Sequence, residues 1–277
     1  MGNENKLKIQ LKNIWENDWN IPEDVDIYAL SLEMMDNIGS TDPELRDMLI
    51  LELLYNIISC EKISYDKMKE LLKLSLSDDH LFYEIGKNED DSVFKRTFTL
   101  CIINMILNLN NECDDSFLSE KDILHVYNEV LRYFRNEKDV RGYVNIKGWA
   151  HSSAHTGDVL CSLSESKVIK HRELIEILQA IKEKICINTY TYINREDERL
   201  INAVVSILDR NILTDEEIIN WINSFKNIEY IDKYPEDDHL RINRKMFMRS
   251  LYFRLKKINT NKKLINAVEE PLNNIFS

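Results

Sequence analysis

The sequence predicts an all-α fold: an α–α superhelix of the HEAT/armadillo type, a solenoid of about six helix pairs forming one helical-repeat domain over residues 1–277. Three observations predict it. Six glycines and four prolines in 277 residues are too few for the many tight turns of a sheet-rich fold. Apolar residues recur at i, i+3, i+4 spacing almost from end to end. Acidic starts near Asp42, Asp91 and Asp139 follow one another at intervals of about 48 residues, with Asp237 about two periods further on, close to the ~40–47-residue period of stacked helical pairs.

The elements follow in order. In "PELRDMLILELLYNII" (43–58), Leu45, Met48, Leu49, Leu53 and Ile57 form one stripe, and Ile50, Leu51, Leu54 and Ile58 widen it, so this helix is buried on more than one side. Thr41-Asp42-Pro43 caps its start. The same periodicity marks helices over 91–107, 118–134, 171–185, 197–208 and 214–225, with capping signals at Ser119/Asp122 and Thr214/Glu217. "RINRKMFMRSLYFRLKK" (241–257) reads as a core-facing helix with a basic outer face. No low-complexity block divides the chain.

Composition narrows the function. Hydrophobic residues make up 44% and charged residues 30%, an ordinary globular balance. A net charge of −12 argues against a nucleic-acid surface, which needs clustered Lys and Arg. No stretch reaches the ~18 apolar residues of a membrane span, and the N-terminus lacks the apolar core of a signal peptide. The chain opens Met-Gly, but Lys6 stands where a myristoylation signal needs Ser or Thr. Five cysteines without a CxxC pair fit reduced thiols in the cytoplasm, with Cys60, Cys101 and Cys186 expected in the core.

Three segments together carry a resemblance: "MMDNIGSTDPELRDMLI" (34–50), "DSVFKRTFTL" (91–100) and "EKDVRGYVNIKGWAHSSAHTGDVL" (137–160). They look like the signature stretches of a bacterial family, the domain-of-unknown-function family 2785, and "RKMFMRSLYFRL" (244–255) resembles its C-terminal segment. Around the histidines the family pattern reads closer to "KGWAHAVAHGAD". Gly148, Trp149, His151, His155 and Asp158 match it, while Ser152, Ser153, Thr156 and Gly157 depart. The resemblance implies a helical-repeat fold and directs attention to residues 139–158.

A helix through that segment would turn ~100° per residue, placing His155 at about +40° and Asp158 at about −20° from His151, with Lys147 near −40°. Ala150, Ala154, Gly157 and Cys161 would line up beside them as a small-residue stripe open to a neighbouring helix. Three readings stand open. His155 with Asp158, and His151 with a facing acid, could form a buried hydrogen-bonded network. The groups could line a metal-free pocket, with a histidine as acid or base. Or His151, His155 and Asp158 could bind a divalent metal such as Zn, Fe or Mn. One ion held by all three would be strained, because the outer Cα atoms lie ~10.5 Å apart along a helix. The His151/His155 pair is easier, with Asp158 behind it and a further ligand from His125 or Asp139. Ser152 replaces the glutamate of the HExxH motif, which disfavours zincin chemistry.

In the approach "DVRGYVNIKGW", Arg141 and Lys147 could receive an anion, or Arg141 could pair with Asp139 in a sharp connection. Cys161 reads as packing, and Ser152 and Ser153 lack a nucleophile-elbow context. His80 reads as solvated, and Arg46, Asp47, Arg96 and Arg249 as inter-repeat ion pairs. The candidate ligand-binding residues are therefore Asp139, Arg141, Lys147, Trp149, His151, His155 and Asp158. The expected function is binding of a protein, peptide or small molecule in a groove at 139–158, with no nucleic-acid or membrane partner. The alternative is a metal-dependent hydrolase or oxygenase.

Overall fold

The computed structural model describes residues 2–258 and 261–274. Among them, α1 (Asn3–Glu16) and α2 (Ile27–Asp36) precede a π-helical stretch (Glu44–Leu51) that runs directly into α3 (Glu52–Ser59). Then come α4 (Tyr65–Ser75), α5 (Ser92–Glu112), α6 (Glu120–Asn136) and a short antiparallel hairpin of β1 (Tyr143–Val144) and β2 (Gly148–Trp149). The chain continues through α7 (Ser152–Glu165), α8 (His171–Ile185), α9 (Glu196–Asp209), α10 (Asp215–Ser224), α11 (Glu236–Lys257) and α12 (Lys262–Asn274). The fold is all-α.

The caps seen in the sequence are formed. Ser119 and Asp122 close a reciprocal box at α6, and Thr214 and Glu217 do so at α10. The Asp42 carboxylate accepts the backbone N–H of Glu44 and of Leu45, satisfying free donors at the start of the π-helical stretch. The acidic starts behave differently from one another. Asp91 flanks α5 without a capping bond, Asp237 lies inside the first turn of α11, and Asp139 starts no helix.

Helices α3, α5, α7, α9 and α11 touch in succession, while α8 packs on α6 and α12 on α10. The Trp221 indole of α10 donates to the Leu178 carbonyl of α8 at 2.8 Å. One continuous apolar cluster runs from Leu7 to Val268. Helix α7 lies close against α9: a Cβ on Gly157 would stand 3.0 Å from the Arg199 backbone carbonyl. Gly157 of the small-residue stripe therefore serves as the sequence suggests, with Ala154 and Cys161 also on α7 and Ala150 outside the helix.

Other expectations change. Residues 147–151 do not extend α7 backward; Lys147 and Trp149 belong to the hairpin, and His151 is the residue before the helix, in the left-handed region at φ 53°. A helix there would forfeit the positive φ of Gly148 and the contacts of the hairpin. His80 is buried, not solvated, because its loop turns back and hydrogen-bonds to the end of α4. Cys60 is exposed at the end of α3, and Cys101 and Cys186 are half-buried. Arg46 pairs with its neighbour Asp47, Arg96 with Glu137, and Arg249 is exposed.

Candidate functional site

The site is built around residues 137–155. Glu137, just after α6, is buried and takes two bonds from Arg96, at 2.6 and 2.9 Å, with further donors from Tyr133 and the Asp139 backbone. Lys184 of α8 donates to the Glu137 carbonyl. Asp139, also buried, is gripped by Arg141 at 2.6–3.1 Å, and Arg141 reaches on to the Asp90 carbonyl. Arg141 thus closes a sharp connection; neither it nor Asp139 opens on the main cavity.

That anchored segment carries the hairpin. Its ladder continues past the two strands, with Ala150 N–H on the Gly142 carbonyl and His151 N–H on the Arg141 carbonyl. Gly148, at φ +83°, occupies a conformation that L side chains rarely adopt. A Cβ there would also sit 2.9 Å from the Arg46 guanidinium, which donates to the Lys147 carbonyl at 2.7 Å. Arg46 is fully buried against the rings of Phe94 and Phe98. Lys147 itself pairs with Asp91, so it is not on the histidine stripe.

The hairpin and α7 bring Trp149, His151 and His155 to one wall. Trp149 is 40% exposed and stacks on His151 at 4.5 Å, while the rings of His151 and His155 meet edge to face at 6.0 Å. His151 Nε2 lies 3.0 Å from the Asn194 carbonyl, which can only accept, so Nε2 carries the proton and Nδ1 is left as a lone pair. Burial holds His151 below the ordinary histidine range. His155 is pulled down to about 3, by burial first and then by the charge of Arg199. Both rings are neutral near pH 7.

His155 Nδ1 faces the Cys101 sulfur at 3.3 Å and an Asp158 oxygen at 3.9 Å, while its Nε2 is buried without a hydrogen-bond partner. Burial raises the Cys101 thiol far above its usual range, so it stays protonated. The Asp158 carboxylate is gripped by Arg199 on both oxygens, one bond measuring 2.6 Å. Burial pushes Asp158 up and Arg199 opposes it. Asp158 therefore acts chiefly as the counter-ion of Arg199, with His155 beside it. His151 has a facing acid as well: Glu196 Oε1, buried, lies 3.7 Å from Nε2.

A cavity of about 520 Å³ opens on this wall, with Asp47, Phe98, Asn194, Arg199, Asn202 and Arg254 around it. Among the described residues, no three His, Cys, Asp or Glu side chains form a group able to hold a metal ion. His125 is exposed on α6 and absent from the cavity lining. Sequence reasoning missed Arg199, Asn194, Asn202 and Arg254, which reach the site from α9, its entry and α11. The one available signal was an acid, Asp158, beside a small-residue stripe: such a stripe brings a helix close, and a half-buried carboxylate then needs a cation from it.

Among the described residues no helix is long and apolar enough to cross a membrane. No curated protein and no solved structure matches the chain. A family model described as "Protein of unknown function (DUF2785)" matches residues 81–253, a span that holds the hairpin, both histidines and Arg199 and takes in well over half of the sequence. The chain belongs to the DUF2785 family.

Proposed function

We propose that the protein is a non-enzymatic binding protein whose groove takes an extended peptide segment. The observation that carries this is a chain of adjoining cavities. The 520 Å³ cavity shares Leu51, His155 and Arg199 with a second of about 390 Å³, which runs between α3, α5 and α7. It shares Asn202 and Arg254 with a third of about 470 Å³ along α7, α9 and α11. A row of adjoining cavities along α3, α5, α7, α9 and α11 suits a long, thin ligand better than a compact one. The stepwise packing of α3, α5, α7, α9 and α11 supports a superhelix of stacked pairs, whose inner surface is the usual binding face of such folds. Its walls offer an exposed indole, amides at Asn194 and Asn202, and charges of both signs, the mixture that holds a polypeptide. Five free thiols fit a reducing, cytoplasmic setting.

The test is selection from a random peptide display library, followed by fluorescence anisotropy on the enriched peptides. Binding that falls at least tenfold in Trp149→Ala and Asn202→Ala, with the circular dichroism melt unchanged, supports the groove. No enrichment, or peptides indifferent to both substitutions, overturns it.

A further inference from the structure

We infer that His151 and His155 form a two-nitrogen binding site for a late first-row divalent metal ion, Cu²⁺ or Zn²⁺, on the wall of the 520 Å³ cavity. Three independent features of the geometry converge on it. The His155 Nε2 is a buried polar atom without a partner, on a side chain that lines the cavity. Native interiors rarely leave such an atom unsatisfied, and an ion is one of the groups that satisfies it. His151 has its Nε2 committed to a backbone carbonyl, the arrangement that fixes a ligating imidazole and leaves Nδ1 as the donor atom. The two rings stand 6.0 Å apart between centroids. Two imidazoles sharing one ion at a bond length of about 2.0 Å place their centroids roughly 5.1 Å apart at a tetrahedral angle and roughly 6.3 Å apart when trans, so the observed separation fits a wide angle at the ion.

The surroundings suit the same ion. Behind His155, the Asp158 carboxylate at 3.9 Å from Nδ1 and the Cys101 thiol at 3.3 Å flank the side away from the free nitrogen. Trp149 on His151 and Phe98 on His155 restrain both rings. Imidazole favours zinc, copper and nickel, and two nitrogens without a protein thiolate select along the order Cu²⁺ above Ni²⁺ above Co²⁺. Arg199 and Arg46 lie near enough to lower His155, and their positive charge works against tight binding. The remaining coordination positions face the open cavity, where water or a groove ligand fills them. This site is independent of the peptide reading and does not require it.

The experiment adds Cu²⁺, Zn²⁺ or Ni²⁺ alone, without any peptide, to untagged protein stripped of metal. Isothermal titration gives stoichiometry and affinity, and electron paramagnetic resonance of the Cu²⁺ form counts nitrogen ligands. The expected result is one equivalent of Cu²⁺ with two nitrogen ligands, weakened at least tenfold in His151→Gln and in His155→Gln. His171→Gln and His239→Gln serve as controls and leave it unchanged. Absence of one-equivalent binding, a nitrogen count other than two, or equal affinity in both cavity variants overturns the inference. Should His155→Gln fail to fold, the His151→Gln titration and the wild-type nitrogen count still decide.

Discussion

Replacing Gly157 by alanine sets two effects of opposite sign against each other. In an ordinary exposed helix the change stabilises by about 1 kcal/mol, because alanine is the better helix former. Here the new Cβ would lie 3.0 Å from the carbonyl carbon and oxygen of Arg199 and from the Leu200 nitrogen. Non-bonded heavy atoms prefer separations of about 3.5–4.0 Å, so α9 must retreat by a few tenths of an ångström. These are backbone atoms and cannot rotate aside. Overpacking of this kind costs about 1–3 kcal/mol, and the rigid contact places the cost at the upper end. The net result is a loss of about 1–2 kcal/mol, a fall in Tm of roughly 2–4 °C for a chain of this size. Thermal and urea unfolding followed by far-ultraviolet circular dichroism measure it. A Tm equal to or above that of the parent would show that α7 and α9 are not in close backbone contact, and the argument for Arg199 reaching Asp158 would fall with it.

Other substitutions test the anchors. Gly148→Ala forces a side chain into φ +83° and against Arg46, and is expected to cost about 2–3 kcal/mol in the same unfolding assay; a change under 0.5 kcal/mol would contradict the hairpin geometry. Arg96→Met leaves Glu137 buried with its main counter-charge gone, and should destabilise by about 3–5 kcal/mol, whereas an isosteric exchange at an exposed arginine such as Arg249 should do almost nothing. His155 carries a pH signature. Its folded-state pKa of about 3 lies below the unfolded value near 6.5, so the unfolded chain binds the proton first, and stability falls as pH drops between those values. The slope from this one group is on the order of 1.4 kcal/mol per pH unit, and His155→Gln should flatten the acid limb relative to the parent; identical limbs would show that His155 titrates normally.

Much of this was legible from residue types alone. Helix positions came from apolar spacing, and the boxes at Ser119/Asp122 and Thr214/Glu217 came from local chemistry that involves only neighbours in sequence. The segment 147–151 was misread because the pattern Lys147, His151, His155, Asp158 has helical spacing, yet the tie that fixes the hairpin is a guanidinium a hundred residues away. Periodicity contains no trace of such a bond. His80 and Cys60 exchanged their expected environments for a similar reason: burial in a turn depends on which helices close over it. His151 and His155 stand out in the sequence as residue types, while the arginine that reaches Asp158 beside them, Arg199, does not, since pairing across two helices follows from their packing.

Arg46 lies at the crossing of these threads. It donates to the Ser40 and Lys147 carbonyls and rests on two phenyl rings of α5. The helices before residue 81 therefore set the height of the hairpin, and through it the tilt of the indole at the cavity mouth. A fragment cut to residues 81–253 would keep both histidines and Arg199 but lose this peg, leaving the Lys147 carbonyl and the flanking rings open to water. The stretch by which relatives are recognised is thus shorter than the piece of chain that shapes the cavity.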